Sequence, residues 1–360
     1  MENRASDRLY YFDCLRIFAL IIVIFVHTAA QKWLEVDVRS FEWNVFNLYD
    51  GLARGGSAIF VMISGALFLG RDRPLGTIYR KHLLRVVIAF AFWSAVYTVV
   101  ERARGIEALY DWGKGAEVSV TWFQHFMRGH YHMWFLYMIA GIYLIVPLLR
   151  KIVETDFLRN YFLLLAVVFA VAIPQAVFVI GLCSEEWGTF AGEIFRKFDV
   201  HLVLGNSGYF VLGYALNRAN PSQRTKRAVY ALGLLGAAAT VLLAMALSLH
   251  KGKPDVTFYG NFTFNVLIKC VAVFLFAKER WGLAGASDRT KALVRMLSGY
   301  TFGAYLVHAL VMEEMDRLFD FNTFSFNPLL SIPVIVAVVF AVSMAISGVL
   351  NHIPGLRKLV

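Results

Sequence analysis

Residues Tyr10–Ala30, YYFDCLRIFALIIVIFVHTAA, decide the fold. The run is mostly apolar and about 20 residues long, enough to cross a bilayer as one helix. It nevertheless holds Asp13, Arg16 and His27. At about 100° per residue, Asp13, Leu20 and His27 fall nearly in line, and Arg16 lies roughly 60° to one side. On a rise of about 1.5 Å per residue, Arg16 and His27 stand roughly 16 Å apart. An ionisable group at membrane depth costs about 2.5–3.5 kcal/mol on insertion scales, so such a stripe faces a bundle interior or a wet cavity. The plainer alternative is an Asp–Arg pair at the interface with a snorkelling His at the far end. A secretory signal is the other alternative, because Arg4 and Arg8 precede the run and Thr28-Ala29-Ala30 closes it. Signal cores are about 7–15 residues long and have no use for a polar stripe.

The whole chain repeats this character. Of 360 residues, 59% are hydrophobic and 17% charged, with a mean hydropathy of +0.60. Soluble domains average about 25% charged, so the composition predicts an all-α, polytopic membrane bundle folded as one domain over 1–360. The net charge of +10 then belongs to cytoplasmic loops rather than to nucleic-acid binding. Cys14, Cys183 and Cys270 show no disulfide or metal-ligand spacing, and no metal is expected.

Ten spans are predicted, at 10–30, 52–70, 82–101, 132–150, 161–181, 200–217, 228–249, 262–278, 297–313 and 328–350; the sixth and ninth are short and polar. With the N-terminus inside, 21 Lys and Arg fall on the cytoplasmic side against 12 outside, while acidic residues number 7 inside and 17 outside. The positive-inside rule thus predicts N-in and C-in. Span two, GLARGGSAIFVMISGALFLG, is rich in small residues, so Ser57, Ser64 and Gly65 suit close helix packing.

Several further groups bear chemistry. Arg80, Lys81 and Arg85, with Arg71 and Arg73 upstream, suit a polyphosphate at the bundle mouth, although a basic cluster also serves topology and lipid contact. His130-Tyr131-His132-Met133-Trp134-Phe135-Leu136-Tyr137 is richer than an aromatic belt requires and suits the wall of an acceptor pocket. Two His at i, i+2 without a nearby carboxylate make a poor metal site. Asn261, Asn265 and Lys269 read as a one-sided stripe in span eight, and Thr301, Tyr305 and His308 share a face of span nine before Glu313-Glu314.

Together these motifs resemble the membrane-bound acyltransferase-3 family. Asp13-x-x-Arg16 with His27 is similar to its first-span mark, and Phe60-Val61-Met62-Ile63-Ser64-Gly65 to its second-span signature. Tyr79 to Arg85 sits at its basic motif, here Arg80-Lys81-His82 where the family has Arg-x-Arg. His132-x-Trp134-Phe135-Leu136-Tyr137 with Tyr143 and Pro147 resembles its fourth span, and Thr301–His308 its late Tyr/His span. The HMWF and RG/GNF-like stretches are similar to the subgroup that O-acetylates enterobacterial common antigen. The resemblance covers the chain in order. It implies ten helices in a bacterial inner membrane, the membrane module without an appended hydrolase-like domain. It also implies cytosolic acetyl-CoA or another acyl-CoA as donor co-substrate, no permanently bound cofactor, and a glycan or lipid-linked sugar hydroxyl as acceptor.

Acyl transfer from thioester to alcohol needs a base, oxyanion donors and a dock for the CoA phosphates. His27 suits the base, since imidazole titrates near working pH; transient acetylation of His27 is the other route. Arg16, oriented by Asp13, suits the pantetheine or pyrophosphate arm, and Arg80, Lys81 and Arg85 the phosphates. Ser64, Tyr305 and His308 are the oxyanion candidates. A rival reading is a proton-coupled transporter in which Asp13, His27, Lys269 and His308 relay protons.

Overall fold

Leucine, isoleucine, valine and phenylalanine fill Tyr10–Ala30 without Gly or Pro, and the segment forms an unbroken helix, α1, over those residues. The structure, a computed structural model, describes residues 8–70, 74–106, 108–111, 116–197 and 205–360. Arg4, Arg71, Arg73 and the first part of the predicted sixth span (200–204) lie outside the described residues.

After α1 come α2 (Phe41–Ala53), capped by the Ser40 hydroxyl, and α3 (Gly56–Leu69). The short α4 (Leu75–Thr77) leads through a π turn, Ile78–Leu83, into α5 (Leu84–Ala103). A two-stranded antiparallel hairpin, β1 (Ala108–Asp111) with β2 (Ala116–Ser119), is the one departure from helix among the described residues. Then follow α6 (Trp122–Arg128), a 3₁₀ turn at Tyr131–Met133 and α7 (Trp134–Ile152). Next, α8 (Asp156–Val167) and α9 (Ile173–Cys183) join through a second π turn, and the amphipathic α10 (Glu185–Arg196) folds back on α9. The chain continues through α11 (Ser207–Arg218), α12 (Gln223–Lys251), α13 (Phe264–Arg280), α14 (Asp288–Phe319) and α15 (Pro328–His352).

Eight stretches of the described residues are long and apolar enough to cross a membrane. The predicted sixth and ninth spans are not among them. For the sixth, α11 has 12 residues; α14 has 32, but its polar and charged residues lower its hydropathy. Span two also differs from its predicted bounds. The helical path begins at Phe41 and is broken at Arg54-Gly55, where Gly55 has φ 105°. A side chain at Gly55 would be strained by that φ and would meet the Cys270 Sγ, so glycine is required twice over.

The bundle packs backbone to backbone where small residues allow it. A Cβ at Gly65 would strike the Phe210 backbone, and one at Gly213 would strike the Met62 backbone. That reciprocal contact brings α3 against α11 and gives Gly65 its packing role. Leu144, Leu148, Leu164, Leu234 and Leu235 stay exposed, the opposite of a water-facing surface and suited to lipid. Helices α1, α5 and α14 run in the same direction, as alternation demands of first, third and ninth spans. Asp13 meets Ser298 while Thr28 meets Met312, and Arg85 lies over Phe302 while Arg104 pairs with Glu313.

Candidate active site

The polar face of α1 lies against α14 along its whole length, and the contact has two poles. At the first, the buried Asp13 carboxylate accepts from Arg8 at 2.7 and 2.9 Å, from Arg16 at 3.2 Å and from the Ser298 hydroxyl at 2.8 Å. Arg16 also reaches Ser298 Oγ at 3.4 Å. Arg85 stands over the Phe302 ring, one turn from Ser298, and donates to the Val360 carbonyl. Arg80 and Lys81 are exposed on the π turn just before it. The predicted donor-binding residues thus share this end of the bundle.

At the second pole, His27 Nδ1 lies 2.8 Å from His308 Nε2, with the rings nearly coplanar in orientation at 14°. His308 Nδ1 lies 2.6 Å from the Tyr305 carbonyl. A carbonyl only accepts, so His308 Nδ1 carries its hydrogen. In the neutral ring, His308 Nε2 then keeps a lone pair and accepts from His27 Nδ1–H. The bonding leaves His27 Nε2 as the basic nitrogen, without a hydrogen-bond partner among the described residues.

His27 lines a cavity of about 260 Å³ together with Arg54, Ser57, His132, Trp134, Tyr259, Asn261 and Tyr305. Its walls come from five parts of the chain: α1, the α2–α3 break, the start of α7, the turn before α13, and α14. His132 is buried, and its Nε2 has no hydrogen-bond partner among the described residues. Its carbonyl accepts from the Tyr305 hydroxyl. Trp134 is about half exposed and forms the rim. Asn261 donates to Ser57 at 2.9 Å.

Other predicted residues go elsewhere. Ser64 bonds back to the Phe60 carbonyl at 2.9 Å, inside its own helix, and does not line this cavity. Tyr137 donates to the Met127 carbonyl and packs on Phe90, also away from the cavity. Lys269 donates to the Gly51 and Leu52 carbonyls at 2.9 and 3.3 Å, capping the end of α2 where carbonyls lack intrahelical partners. The predicted stripe Asn261–Asn265–Lys269 is broken, because α13 begins only at Phe264. Asn261 therefore precedes the helix, while Asn265 turns to Thr240 and the Phe258 carbonyl.

Sequence reasoning missed Arg54, which lies inside the predicted second span, 52–70. Its guanidinium binds the buried Asp50 carboxylate at 2.5 Å and lies 4.4 Å over the Tyr259 ring. The adjoining Gly55-Gly56 pair was the available signal. Also missed was the acidic partner of the His130 cluster. His130 Nε2 contacts Glu101 at 3.1 Å and Glu313 at 2.8 Å, and Glu101 also meets His125. Burial opposes a charge on His130, but the hydrogen bonds to Glu101 and Glu313 outweigh it and raise its pKa. The carboxylate came from another helix, so no local spacing revealed it.

A basic imidazole in a polar cavity, inside a membrane bundle, suits group transfer. Comparison with known families agrees: the acyltransferase-3 family, described as an acyltransferase domain, matches residues 9–348. The chain belongs to that family, and it is a multi-pass membrane acyltransferase. No curated protein and no solved structure matches the chain significantly.

Proposed function

We propose that the protein is an O-acetyltransferase that moves an acetyl group from cytosolic acetyl-CoA to a hydroxyl of a cell-envelope or exported glycan, in a bacterial inner membrane. The observation that carries this reading is the His27–His308–Tyr305 arrangement, which leaves a lone pair on His27 in an aromatic-lined cavity. Trp134, Tyr259, Asn261 and Arg54 supply apolar ring faces and hydrogen-bonding groups of the kind a sugar needs. The subgroup acting on enterobacterial common antigen remains the favoured relative because its HMWF stretch contributes His132, Trp134 and Phe135 to that cavity.

In this mechanism His27 Nε2 takes the proton of the acceptor hydroxyl as its oxygen attacks the thioester carbon. The new C–O bond forms, and the carbonyl π pair moves onto its oxygen. Collapse of the tetrahedral species breaks the C–S bond, and the imidazolium returns its proton to the thiolate sulfur. His308 orients the base and shares the charge that develops on it. Arg16, Arg80, Lys81 and Arg85 supply cationic partners for the CoA phosphates at the opposite end. The proton-relay alternative gains no support, since Lys269 is committed to two backbone carbonyls.

The test is proteoliposomes holding purified protein, acetyl-CoA and chemically de-O-acetylated envelope glycan. Glycan-dependent CoA release, with acetyl groups found on the glycan by mass spectrometry, is expected. A protein that moves protons across the membrane without releasing CoA would overturn the proposal.

A further inference from the structure

The break between α2 and α3 places three unusual features on the cavity that His27 lines. The first is Arg54, a cation within the 41–69 apolar stretch, with one carboxylate partner and a buried Nε that makes no hydrogen bond among the described residues. The second is the start of α3. Its first intrahelical bond is made by Ile59 to the Gly55 carbonyl at 2.9 Å, so the N–H groups of Gly56, Ser57 and Ala58 precede the ladder. Gly56 and Ser57 line the cavity. The third is His132, 1% exposed, which lines the same cavity and has a buried Nε2 without a hydrogen-bond partner among the described residues.

The surrounding bonds hold the break open instead of closing it. Lys269 caps the last carbonyls of α2, and Asp50 and the Tyr259 ring fix Arg54 from two sides. Tyr259 is in turn held by Asn47, whose amide donates to the Val241 carbonyl at 3.1 Å. Such a frame supports donors that need little reorganisation when a charge appears. A helix N-terminus adds its own partial positive charge. The Ser57 hydroxyl accepts from the Asn261 amide, which leaves its O–H free to donate beside the backbone N–H groups and the guanidinium.

Resting on the acyl-transfer reading, we propose that Arg54, with the N–H groups of Gly56 and Ser57, stabilises the oxyanion formed when the thioester carbon is attacked. Arg54 is thus a second catalytic residue, facing the oxygen while His27 faces the hydroxyl proton. The pair divides the step: the base receives the proton, and the cation receives the electron pair displaced from the carbonyl. The assignment displaces Ser64, which the sequence offered for this role and which is turned to its own helix.

The experiment measures acetyl transfer to envelope glycan by Arg54→Ala in proteoliposomes, beside His27→Ala. Removing an oxyanion donor costs roughly 10²–10³ in kcat, so a loss of that size with KM for acetyl-CoA little changed is expected. Added guanidinium should restore part of the turnover of Arg54→Ala and none of that of His27→Ala. Because Arg54→Ala leaves buried Asp50 unpaired, the double variant Asp50→Asn with Arg54→Gln removes both charges together. It should fold and show a similar loss of kcat. Near wild-type kcat in either folded variant, or a loss confined to KM, overturns the proposal. If His27→Ala is inactive while the Arg54 variants are not, only this proposal falls; if His27→Ala is also active, the acyl-transfer mechanism falls with it.

Discussion

At one end of α1, Asp13 collects four hydrogen bonds from Arg8, Arg16 and Ser298. At the other, His27 has one, and beside it Arg54 and His132 keep nitrogens that bond to nothing among the described residues. Both ends were written into the same helix as ionisable residues on one face. The difference lies in what α14 and the neighbouring turns offer them. Ser298 joins the carboxylate to an already paired network, which locks α1 and α14 together. His308 offers a single acceptor and leaves the other face of His27 toward a cavity. A buried polar group that stays unpaired costs stability and calls for an explanation. Arg54 Nε and His132 Nε2 are two such nitrogens, and both residues line the cavity that His27 shares.

The comparison breaks most completely on topology. If the acid pole is the donor side, it faces the cytoplasm. A cysteine introduced at Ser222, ahead of α12, should then label only from the cytoplasm, and one at Glu185, at the start of α10, only from outside. The effect is all or none. Labelling of both from one face would remove the reason to assign the two poles to donor and acceptor.

A smaller effect separates stability from chemistry. Asp13→Asn leaves Arg8 and Arg16 without their anion. Removing one partner of a fully buried pair costs about 3–5 kcal/mol. The side chains of Arg8 and Arg16 are 43% and 31% exposed, so about 1–3 kcal/mol is expected after solvent screening. The readout is a lower Tm in detergent, with weaker acetyl-CoA binding and a kcat that falls less than in the His27 variant. Unchanged Tm with abolished turnover would move Asp13 from the frame into the chemistry.

The stripe on α1 was legible because helical periodicity alone puts Asp13 and His27 on one face, and membrane depth forbids that face from meeting lipid. The partner face of Tyr305 and His308 was legible for the same reason. Arg54 was not, because the small residues around it read as close packing within one continuous span, 52–70, with no break. Only the left-handed Gly55 and the Lys269 cap show that the chain stops and restarts as helix there. Lys269 read as part of a one-sided side-chain stripe, but its partners are carbonyls that every residue carries. Asn261 was misplaced by extending the period of α13 back through Thr263 and Phe262, residues that are not helical. Periodicity therefore found faces, and it failed where backbone ends, rather than side chains, supply the interaction.

The central claim is that chemistry lives at the histidine pole and donor binding at the other. It is tested most directly by His27→Ala, assayed for both functions in the same proteoliposomes. His27 stands about three helical turns from Arg16, so acetyl-CoA binding should stay close to wild type. General-base catalysis is worth about 10²–10⁴-fold, so glycan acetylation should fall by at least about 10²-fold. Turnover within a few-fold of wild type, in a folded variant supplied with acceptor glycan, would contradict the account.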